Sequence, residues 1–342
     1  MRVCLVLASA NNGGLEKHVR ELSNQLVSMG HQVIVIAPNE FLTTLSKEVE
    51  AVSLNCNRSR YNPLLLLELL FKLRAAKSDI IHAQANKAVT MVGLLKAVLA
   101  CPIVATIHNI KSNIRPFLRF KHVISVSKQL AQSFKSHPVS VIYNGIHQPN
   151  FHKVDLRETF SLPAEYPVIC AVGRLVEAKG FDLLLEAVNG LPVSLVIVGD
   201  GPEQNNLEGK IKNLGSTTCY KLLGYRSDIN DLIHSSDGLV ISSRREGFSY
   251  VFNEALLCGT KVLSTNVPVA NEVLSPELIV PINDVDALRS KMMHLLDKAP
   301  EWEALMVPAR TFAQHHMNIA AMTEKTVTLY QNILNAKEHL PR

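Results

Sequence analysis

The stretch RREGFSYVFNEALLCGTKVLS, residues 244–264, predicts a loop, a helix and a strand in succession. Ser249 can cap a helix over residues 250–258, because its hydroxyl can accept a free backbone N–H of the first turn. Gly259 can end that helix, and residues 261–264 begin an apolar β run. Loop, helix and strand in this order are typical of an α/β protein.

The same stretch carries two acids, Glu246 in the loop and Glu254 in the helix. Acidic side chains are seldom fully buried unless something pairs with them. The two are about two helical turns apart, or roughly 12 Å if the segment is helical throughout. The pair could therefore bind two parts of one long ligand. The alternative is a capping carboxylate and one solvated helix residue.

The order of strand and helix repeats along the whole chain. Apolar runs alternate with helical periodicity through residues 2–143, and the alternation restarts at residue 168 after a polar stretch. This pattern predicts parallel sheets covered on both faces. We expect two Rossmann-like, doubly wound α/β domains facing across a cleft, at residues 1–150 and 151–319. A helix near 320–336 is expected to pack back onto the first domain.

Composition is that of a globular protein with material for two cores. Of 342 residues, 47% are apolar and 19% charged, as in soluble domains. The six cysteines show no C-x-x-C spacing, which favours reduced core residues of a cytoplasmic protein. The start MRVCLVLASA predicts a first buried strand rather than a signal peptide. No run is long and apolar enough to span a bilayer.

Charge is distributed unevenly between the two halves. Residues 1–150 hold 17 Lys and Arg against 7 Asp and Glu, whereas residues 151–342 hold 18 against 23. The basic half favours an anionic partner or surface. Few aromatic residues accompany the cations and no nucleic-acid recognition motif is present, so a nucleic-acid partner is not expected.

Two loops carry residue types that suit phosphate binding. Gly13 and Gly14 open a helix, where backbone N–H groups can approach an anion, although the segment lacks the G-x-G-x-x-G fingerprint. Arg174 and Lys179 precede another helix and could clamp a diphosphate. In isolation these features have plainer interpretations, a turn and two solvated cations. The strand end VIVGDGPE, with Gly201, adds a third glycine-rich loop.

Taken together, six segments establish a resemblance. They are, in order, GGLEKHVRELSNQLVSMGHQVIVI, VSVIYNGI, VGRLVEAKGFDLLLEAV, LVIVGDGPE, LLGYRSDINDLIHSSDGLVISS and EGFSYVFNEALLCGTKVL. The chain resembles the retaining glycosyltransferases of the GT-B fold. Within these it is similar to the large family 4 type (glycosyl transferases group 1), which includes bacterial lipopolysaccharide-core and mannosyl transferases.

The resemblance implies roles for individual residues. Glu246 matches the glutamate near the donor sugar, Glu254 the one on the nucleotide ribose, and His108 a histidine near the reacting centre. The implied catalytic residues are His108, Arg174, Lys179 and Glu246. The implied donor-binding residues are Gly13, Gly14, Gly173, Arg174, Lys179, Gly201, Tyr225, Arg226, Glu246, Gly247, Phe248, Ser249 and Glu254. Ser249 stands where the family usually has glycine, and Gln84 replaces a frequent second histidine. Taken alone, His108 would more often be a core histidine, and its place after an apolar strand in this pattern is what makes it a candidate.

We expect no metal and no other cofactor. Cations and a helix N-terminus can stabilise a departing nucleoside diphosphate without a metal. The D-x-D in NDVDAL is a metal motif of a different transferase fold; here Asp284 is expected to cap a helix over residues 285–296. The histidines show no zinc-ligand spacing.

The expected function is retaining transfer of a hexose or N-acetylhexosamine from a nucleotide sugar, UDP being favoured, to a lipid-linked or lipopolysaccharide acceptor. One alternative is a nucleotide-sugar epimerase of the same fold, which would not need a basic acceptor domain. The other is a non-catalytic nucleotide-sugar-binding subunit, against which the retained candidate residues argue.

Residues 109–122 predict a membrane or acceptor contact. Basic and apolar side chains interleave there: Lys111, Ile114, Arg115, Phe117, Leu118, Arg119, Phe120 and Lys121. Apolar groups can enter a headgroup region while cations meet anionic lipid. We therefore expect a cytoplasmic protein associated peripherally with the inner face of the cytoplasmic membrane. The alternative is that Phe117, Leu118 and Phe120 pack into the core.

Overall fold

The computed structural model describes residues 1–9, 13–109 and 113–338. The chain divides into two compact units. The first comprises residues 1–145 together with the segment that begins at His316, and the second comprises residues 146–315. The predicted boundaries are residues 150 and 319.

The first unit is built on a parallel sheet of seven strands, in the order β3-β2-β1-β4-β5-β6-β7. The strands are β1 (Arg2–Leu7), β2 (Gln32–Ala37), β3 (Glu50–Ser53), β4 (Ile80–Gln84), β5 (Ile103–Ile107), β6 (His122–Ser125) and β7 (Val139–Val141). The central strands are apolar along nearly their whole length because helices cover both faces of a parallel sheet. Strand order reverses between β1 and β4.

The second unit repeats the plan with six parallel strands, in the order β10-β9-β8-β11-β12-β13. They are β8 (Val168–Val172), β9 (Ser194–Val198), β10 (Cys219–Leu222), β11 (Gly238–Ile241), β12 (Val262–Thr265) and β13 (Ile279–Val280). Strand order reverses between β8 and β11. The expectation of two Rossmann-like, doubly wound α/β units is confirmed.

The helices follow the strands along the chain. They are α1 (Gly14–Ser28), α2 (Asn39–Leu42), α3 (Pro63–Ala75), α4 (Ala85–Leu95), α5 (Lys128–Ala131), α6 (Leu156–Phe160), α7 (Phe181–Val188), α8 (Gln204–Lys212), α9 (Ile229–Ser235), α10 (Tyr250–Leu257), α11 (Ala270–Val273), α12 (Val285–Asp297), α13 (Ala299–His316) and α14 (Ile319–Glu338). None of the helices within the described ranges is both long and apolar enough to cross a membrane.

The stretch 244–264 forms the loop, helix and strand that its residues predict. The Ser249 hydroxyl accepts the Phe252 N–H at 3.3 Å and caps α10. Phe252 and Ala255 on the inner face of α10 are fully buried. Gly259 follows the helix, and β12 begins three residues later.

Helix α14 belongs to the first unit, although it follows the second unit in sequence. Met322, Tyr330 and Ile333 join the hydrophobic core formed by β1, β2 and α1. Burying a large apolar side chain contributes about 1.5–3 kcal/mol. The Tyr330 hydroxyl also hydrogen-bonds His82 Nδ1 at 2.5 Å. The first unit therefore depends on α14 for part of its core.

Helix α13 belongs almost entirely to the second unit, and no helix is predicted for its residues. Its Trp302 is fully buried and donates to the Val262 carbonyl at 3.2 Å. A Cβ at Gly238 would lie 2.4 Å from the Trp302 ring, so the indole packs directly on the backbone of β11. Pro308 lies inside the helix.

Candidate functional site

The second unit has its candidate site where its strand order reverses. Ligands of doubly wound sheets bind outside the carboxyl ends of the strands that flank such a reversal. The loop after β8 spans residues 173–180, and the loop after β11 spans residues 242–249. Both leave the same edge of the sheet from neighbouring strands.

An ion pair joins these two loops at their centre. Lys179 Nζ contacts Glu246 Oε1, and the Ser243 hydroxyl donates to the same oxygen at 2.8 Å. The Lys179 and Glu246 side chains are 22% and 9% exposed. A carboxylate so deeply buried is tolerated because it has a cationic partner and a hydroxyl donor. The near-burial of Glu246 is thus explained by residues of its own unit.

A second cation, Arg244, ties the same loops together. Its guanidinium donates two hydrogen bonds to Asp182, both 2.7 Å, one to Asn283 Oδ1 at 2.9 Å and one to the Glu177 carbonyl at 2.9 Å. The Arg244 backbone N–H also donates to the Ala178 carbonyl at 2.8 Å. The 3-10 turn Glu177–Lys179, which carries Lys179, is therefore held to the loop that carries Glu246.

The Asp182 carboxyl responds to this arrangement. Burial alone would raise its pKa, but the hydrogen bonds and charge of Arg244 outweigh burial, and the pKa is lowered. The pair is therefore ionised and charge-assisted at neutral pH. Neither Arg244 nor Asp182 is among the predicted site residues, since no sequence signal links two residues 62 positions apart.

Two glycines allow the loops to approach this closely. Gly180 has φ +63°, and a Cβ there would lie 2.2 Å from the Ser242 carbonyl oxygen. Gly201, predicted to bind donor, has a similar constraint, because its Cβ would lie 2.3 Å from the Leu175 carbonyl oxygen. Gly173 lies against the Lys179 side chain, with its Cβ position 3.3 Å from Lys179 Cε. Gly180 and Gly201 thus allow backbone to lie against backbone at the strand ends.

The other predicted cations differ in their surroundings. Arg174 is exposed, and its side chain makes no hydrogen bond or ion pair with any described residue. Arg226, in contrast, donates to both oxygens of Asp228, at 2.9 and 2.5 Å. Tyr225 is 71% exposed beside it. Arg174 therefore offers a guanidinium with its donors available, whereas Arg226 is held by its neighbour.

The remaining predicted residues of this unit lie along the start of α10. Gly247 is buried, and Phe248 packs edge-on against Tyr250 at 5.4 Å between ring centroids. Ser249 uses its hydroxyl as the helix cap. Glu254 lies one turn further on and is half-buried. Glu246 thus lies in the loop before α10 and Glu254 in the second turn of α10, as predicted.

The first unit presents its predicted glycines at the corresponding reversal of strand order. Gly14 begins α1, and the Gly13 N–H donates to Glu16 Oε2 at 3.2 Å. The Ser9 hydroxyl donates to Glu16 Oε1 at 2.5 Å. Glu16 is only 3% exposed. The Gly13 amide predicted to meet an anion is therefore already bonded to a carboxylate of its own helix.

His108 follows β5 on the same edge of this sheet. Its Nε2–H donates to Gln84 Oε1 at 2.8 Å, so Gln84, at the position where the family often has histidine, orients the imidazole. The His18 ring stands edge-on to His108 with centroids 4.8 Å apart. Burial lowers the pKa of His18 to about 4 and that of His82, bonded to Tyr330, to about 3. Both are therefore neutral near physiological pH.

The predicted membrane segment differs from the expectation. Lys111 lies outside the described residues. Phe117 and Phe120 are 1% and 2% exposed, and Phe117 packs edge-on against Phe134 at 6.1 Å. The prediction that Phe117 enters a headgroup region is wrong, because it belongs to the core.

Three basic side chains of that segment do remain on the surface. Arg115, Arg119 and Lys121 are exposed, with Leu118 at 44%. Lys121 Nζ donates to the Ile333 carbonyl of α14 at 3.4 Å. Among residues 113–122, the exposed side chains are polar or charged apart from Leu118, and Ile114 is half-buried.

The D-x-D motif has a structural role. Asp284 Oδ1 accepts the Ala287 N–H at 2.8 Å and caps α12, as predicted. Across residues 1–9, 13–109 and 113–338, no three His, Cys, Asp or Glu side chains are grouped as a metal site would require.

Comparison with known proteins covers both units. Residues 12–148 match the family described as Glycosyltransferase Family 4, and residues 153–309 match Glycosyl transferases group 1. The lipopolysaccharide core biosynthesis glycosyltransferase LpsE of Rhizobium meliloti (strain 1021) is 27% identical over 266 residues, 74% of this chain and 76% of its own.

Two further proteins extend the likeness. A phosphatidyl-myo-inositol mannosyltransferase of Propionibacterium freudenreichii subsp. shermanii is 26% identical over 316 residues, 81% of this chain and 80% of its own. The crystal structure of Anabaena Alr3699/HepE in complex with UDP superposes with a TM-score of 0.83 at 21% identity. That match covers 97% of this chain and 100% of the other, and it is a likeness of fold.

Proposed function

The chain belongs to the family 4 glycosyltransferases of the GT-B fold, and from this premise we propose that it is a retaining transferase for a hexose or N-acetylhexosamine. The donor is a nucleotide sugar, with UDP favoured, and the acceptor is a lipid-linked or lipopolysaccharide-type envelope glycan. The second unit binds the donor and the first unit binds the acceptor. No metal or other cofactor takes part.

The observation that carries the proposal is the cluster of Lys179, Glu246 and Ser243 at the reversal of strand order in the second unit. Lys179 has three N–H donors and uses one on Glu246, so the others can bind a diphosphate oxygen. Arg174 adds a guanidinium from the same loop. A buried carboxylate paired with a lysine, with an exposed guanidinium on the same loop as that lysine, suits a ligand that carries phosphate next to sugar hydroxyls.

The chemistry follows from the charge that develops. The bond between the anomeric carbon and the diphosphate oxygen breaks, and negative charge grows on the departing diphosphate. Lys179 and Arg174 stabilise that charge more strongly in the transition state than in the bound donor. The acceptor hydroxyl oxygen bonds to the anomeric carbon on the same face, and its proton passes to the departing phosphate. Glu246 accepts hydrogen bonds from the sugar, and Glu254 from the ribose.

The relatives support the choice of ligands. HepE has been crystallised with UDP, LpsE is named for lipopolysaccharide core biosynthesis, and the Propionibacterium relative is named for a phosphatidyl-myo-inositol acceptor. An acceptor in the cytoplasmic leaflet would place the enzyme at the inner face of the cytoplasmic membrane. The exposed cations Arg115, Arg119 and Lys121 agree with such a surface.

The direct test uses radiolabelled UDP-sugars with a membrane lipid extract. Transfer of label to lipid is expected. An epimerised donor, or donor bound without reaction, would refute transfer and would identify the epimerase or the non-catalytic subunit instead.

Single substitutions test the donor site. Arg174→Ala should lower kcat by a larger factor than it raises KM. We expect kcat to fall at least tenfold, since loss of a hydrogen-bond donor to the transition state can cost about 10²–10³ in kcat. Arg174 is exposed and unpaired among the described residues, so the fold does not depend on it. Lys212→Ala, an exposed cation of α8, is the matched control and should leave both constants unchanged.

Binding of UDP, measured by calorimetry, tests the ribose assignment. Glu254→Ala should weaken UDP binding, since a lost charged hydrogen bond costs about 1.5–3 kcal/mol, or roughly 10–150-fold in affinity. Glu208→Ala on the exposed surface of α8 is the control. Equal affinity of parent and Glu254→Ala would refute the assignment.

A further inference from the structure

Helix α3 is apolar on both of its faces. Leu65, Leu69 and Leu73 face inward and are 0%, 0% and 3% exposed. Leu64, Leu67 and Phe71, at helical positions i, i+3 and i+7, are 63%, 49% and 62% exposed on the opposite side. A helix that only covered a sheet would present polar residues outward. The outer stripe is therefore surplus to the packing of the first unit.

The apolar surface extends beyond α3. Tyr61, just before the helix, is 65% exposed. Arg74 Nη2 donates to the Val98 carbonyl at 3.3 Å, which places the end of α4 and the turn after it beside α3. Leu94 and Val98 there are 37% and 47% exposed. We call Tyr61, Leu64, Leu67, Phe71, Leu94 and Val98 the α3 face.

Arg119 of the predicted membrane segment adjoins this surface. Arg119 packs over Gly93 in α4, with its Cδ 3.2 Å from the Cβ position of that glycine. Gly93 precedes Leu94 of the α3 face, and Leu118 is exposed next to Arg119. The segment that contributes Phe117 and Phe120 to the core thus brings its exposed arginine alongside the apolar surface.

The stretch of chain that contributes the α3 face is strongly basic. Residues 51–150 contain 13 Lys and Arg but only two acids, Glu68 and Asp79. Glu68 pairs with Lys72 at 2.7 Å, and Asp79 accepts the Arg2 N–H at 2.7 Å. The cations that belong to the face or lie next to it in sequence are exposed, except for half-buried Arg60: Arg58 and Arg60 before Tyr61, Arg74 on α3, Lys77 after α3, and Lys96 between Leu94 and Val98. Arg119 adjoins the face through its contact with Gly93. The exposed apolar surface therefore has cations beside it, and the two acids of this stretch are already paired.

We propose that the α3 face inserts into the headgroup region of a bilayer rich in anionic lipid. Apolar side chains of an interfacial helix enter the boundary of headgroups and acyl chains, while surrounding cations meet anionic headgroups. Both kinds of group are present here on one surface of the unit proposed to bind the acceptor. The inference rests on the proposed function insofar as it brings that unit to lipid-linked acceptors.

Co-sedimentation with vesicles tests the proposal on the whole chain. The parent should bind vesicles of phosphatidylglycerol and phosphatidylethanolamine at low salt, and bind phosphatidylcholine vesicles at least tenfold more weakly. The triple variant Leu64→Ser, Leu67→Ser, Phe71→Ser should lose at least tenfold in binding to the anionic vesicles. These side chains are exposed, so the fold does not depend on them.

A matched control variant distinguishes binding by the α3 face from non-specific hydrophobic adsorption to vesicles. Met293→Ser with Val307→Ser removes two side chains of the second unit that are 51% and 56% exposed, and should leave vesicle binding unchanged. Equal binding by the parent and the triple variant would overturn the proposal. So would a parent that self-associates in sedimentation analysis while the triple variant is monomeric, because the face would then be covered by a second copy.

A depth probe gives a second readout. Phe71→Trp should be quenched by bilayers with brominated acyl chains, whereas buried Trp302 alone should not. The outcome is independent of catalysis. Vesicle binding without sugar transfer would refute the proposed function but not membrane binding by the α3 face. Sugar transfer by a parent protein that does not bind vesicles would refute membrane binding by the α3 face alone.

Discussion

Removing the Arg244 guanidinium should destabilise the second unit selectively. Arg244→Ala deletes two charge-assisted hydrogen bonds to Asp182 and one each to Asn283 and the Glu177 carbonyl. Charged hydrogen bonds are worth about 1.5–3 kcal/mol each, but Arg244 and Asp182 are 22% and 27% exposed, so solvent reduces the sum. We expect a loss of about 2–4 kcal/mol in the free energy of unfolding.

The assay follows from the position of the single tryptophan. Trp302 is the only tryptophan in the sequence, and it is buried in the second unit, so its fluorescence in urea reports that unit alone. With a slope of about 2 kcal/mol per molar urea, the midpoint should fall by roughly 1–2 M. Arg245→Ala, its exposed neighbour, is the control. A midpoint equal to that of Arg245→Ala would refute the inferred role of Arg244.

The pH dependence provides an internal check on the same pair. The pKa of Asp182 is lowered in the folded protein, so the pair contributes stability above the unfolded value of 3.8 and loses it as pH falls through the lower folded value. The stability difference between parent and Arg244→Ala should therefore be constant from pH 5 to 8 and shrink below about pH 4. A difference that grew on acidification would contradict this assignment.

Three further outcomes are expected. Gly180→Ala should lower the stability of the second unit by more than about 2 kcal/mol, because its Cβ would lie 2.2 Å from the Ser242 oxygen; Gly209→Ala, with nothing within 4 Å, is the control and should be neutral or stabilising. Burial lowers the pKa of His18 from 6.5 to about 4, so the unfolded chain binds a proton at His18 more readily than the folded unit does. The first unit should therefore lose stability as pH falls from 6.5 towards 4. Below about pH 5, far-UV ellipticity from the first unit should therefore be lost before the fluorescence of Trp302 in the second unit changes. The reverse order would contradict this role of His18. EDTA should leave turnover intact; complete loss restored by Mn²⁺ would show a required metal.

Much of the fold follows from local pattern. The strands of a parallel sheet are buried on both faces, so each appears as a short apolar run, and a serine and a glycine mark the ends of α10. Helix α13 is missed because the contacts that hold it are distant: Trp302 packs on Gly238, 64 positions earlier in the sequence.

In the candidate site, too, local sequence identifies individual residues but not the distant contacts between them. Loops at strand ends, together with the family resemblance, identify four candidate residues from sequence: Arg174, Lys179, Glu246 and Glu254. The partnership of Lys179 with Glu246 spans 67 positions, which no local pattern encodes. The interleaved basic and aromatic residues at 109–122 predict a membrane-binding surface. Phe117 is instead buried against Phe134, a contact that depends on the packing of the whole unit and not on the local sequence.

The return of α14 to the first unit has a consequence for synthesis. At about 5–20 residues per second, a ribosome needs roughly 10–30 s to make residues 146–315, which separate β7 from α14. The second unit is continuous in sequence and can fold during that interval. The first unit must wait for Met322, Tyr330 and Ile333 to close its core. Its nascent sheet therefore presents apolar surface for that period, and this is the kind of surface that chaperones bind.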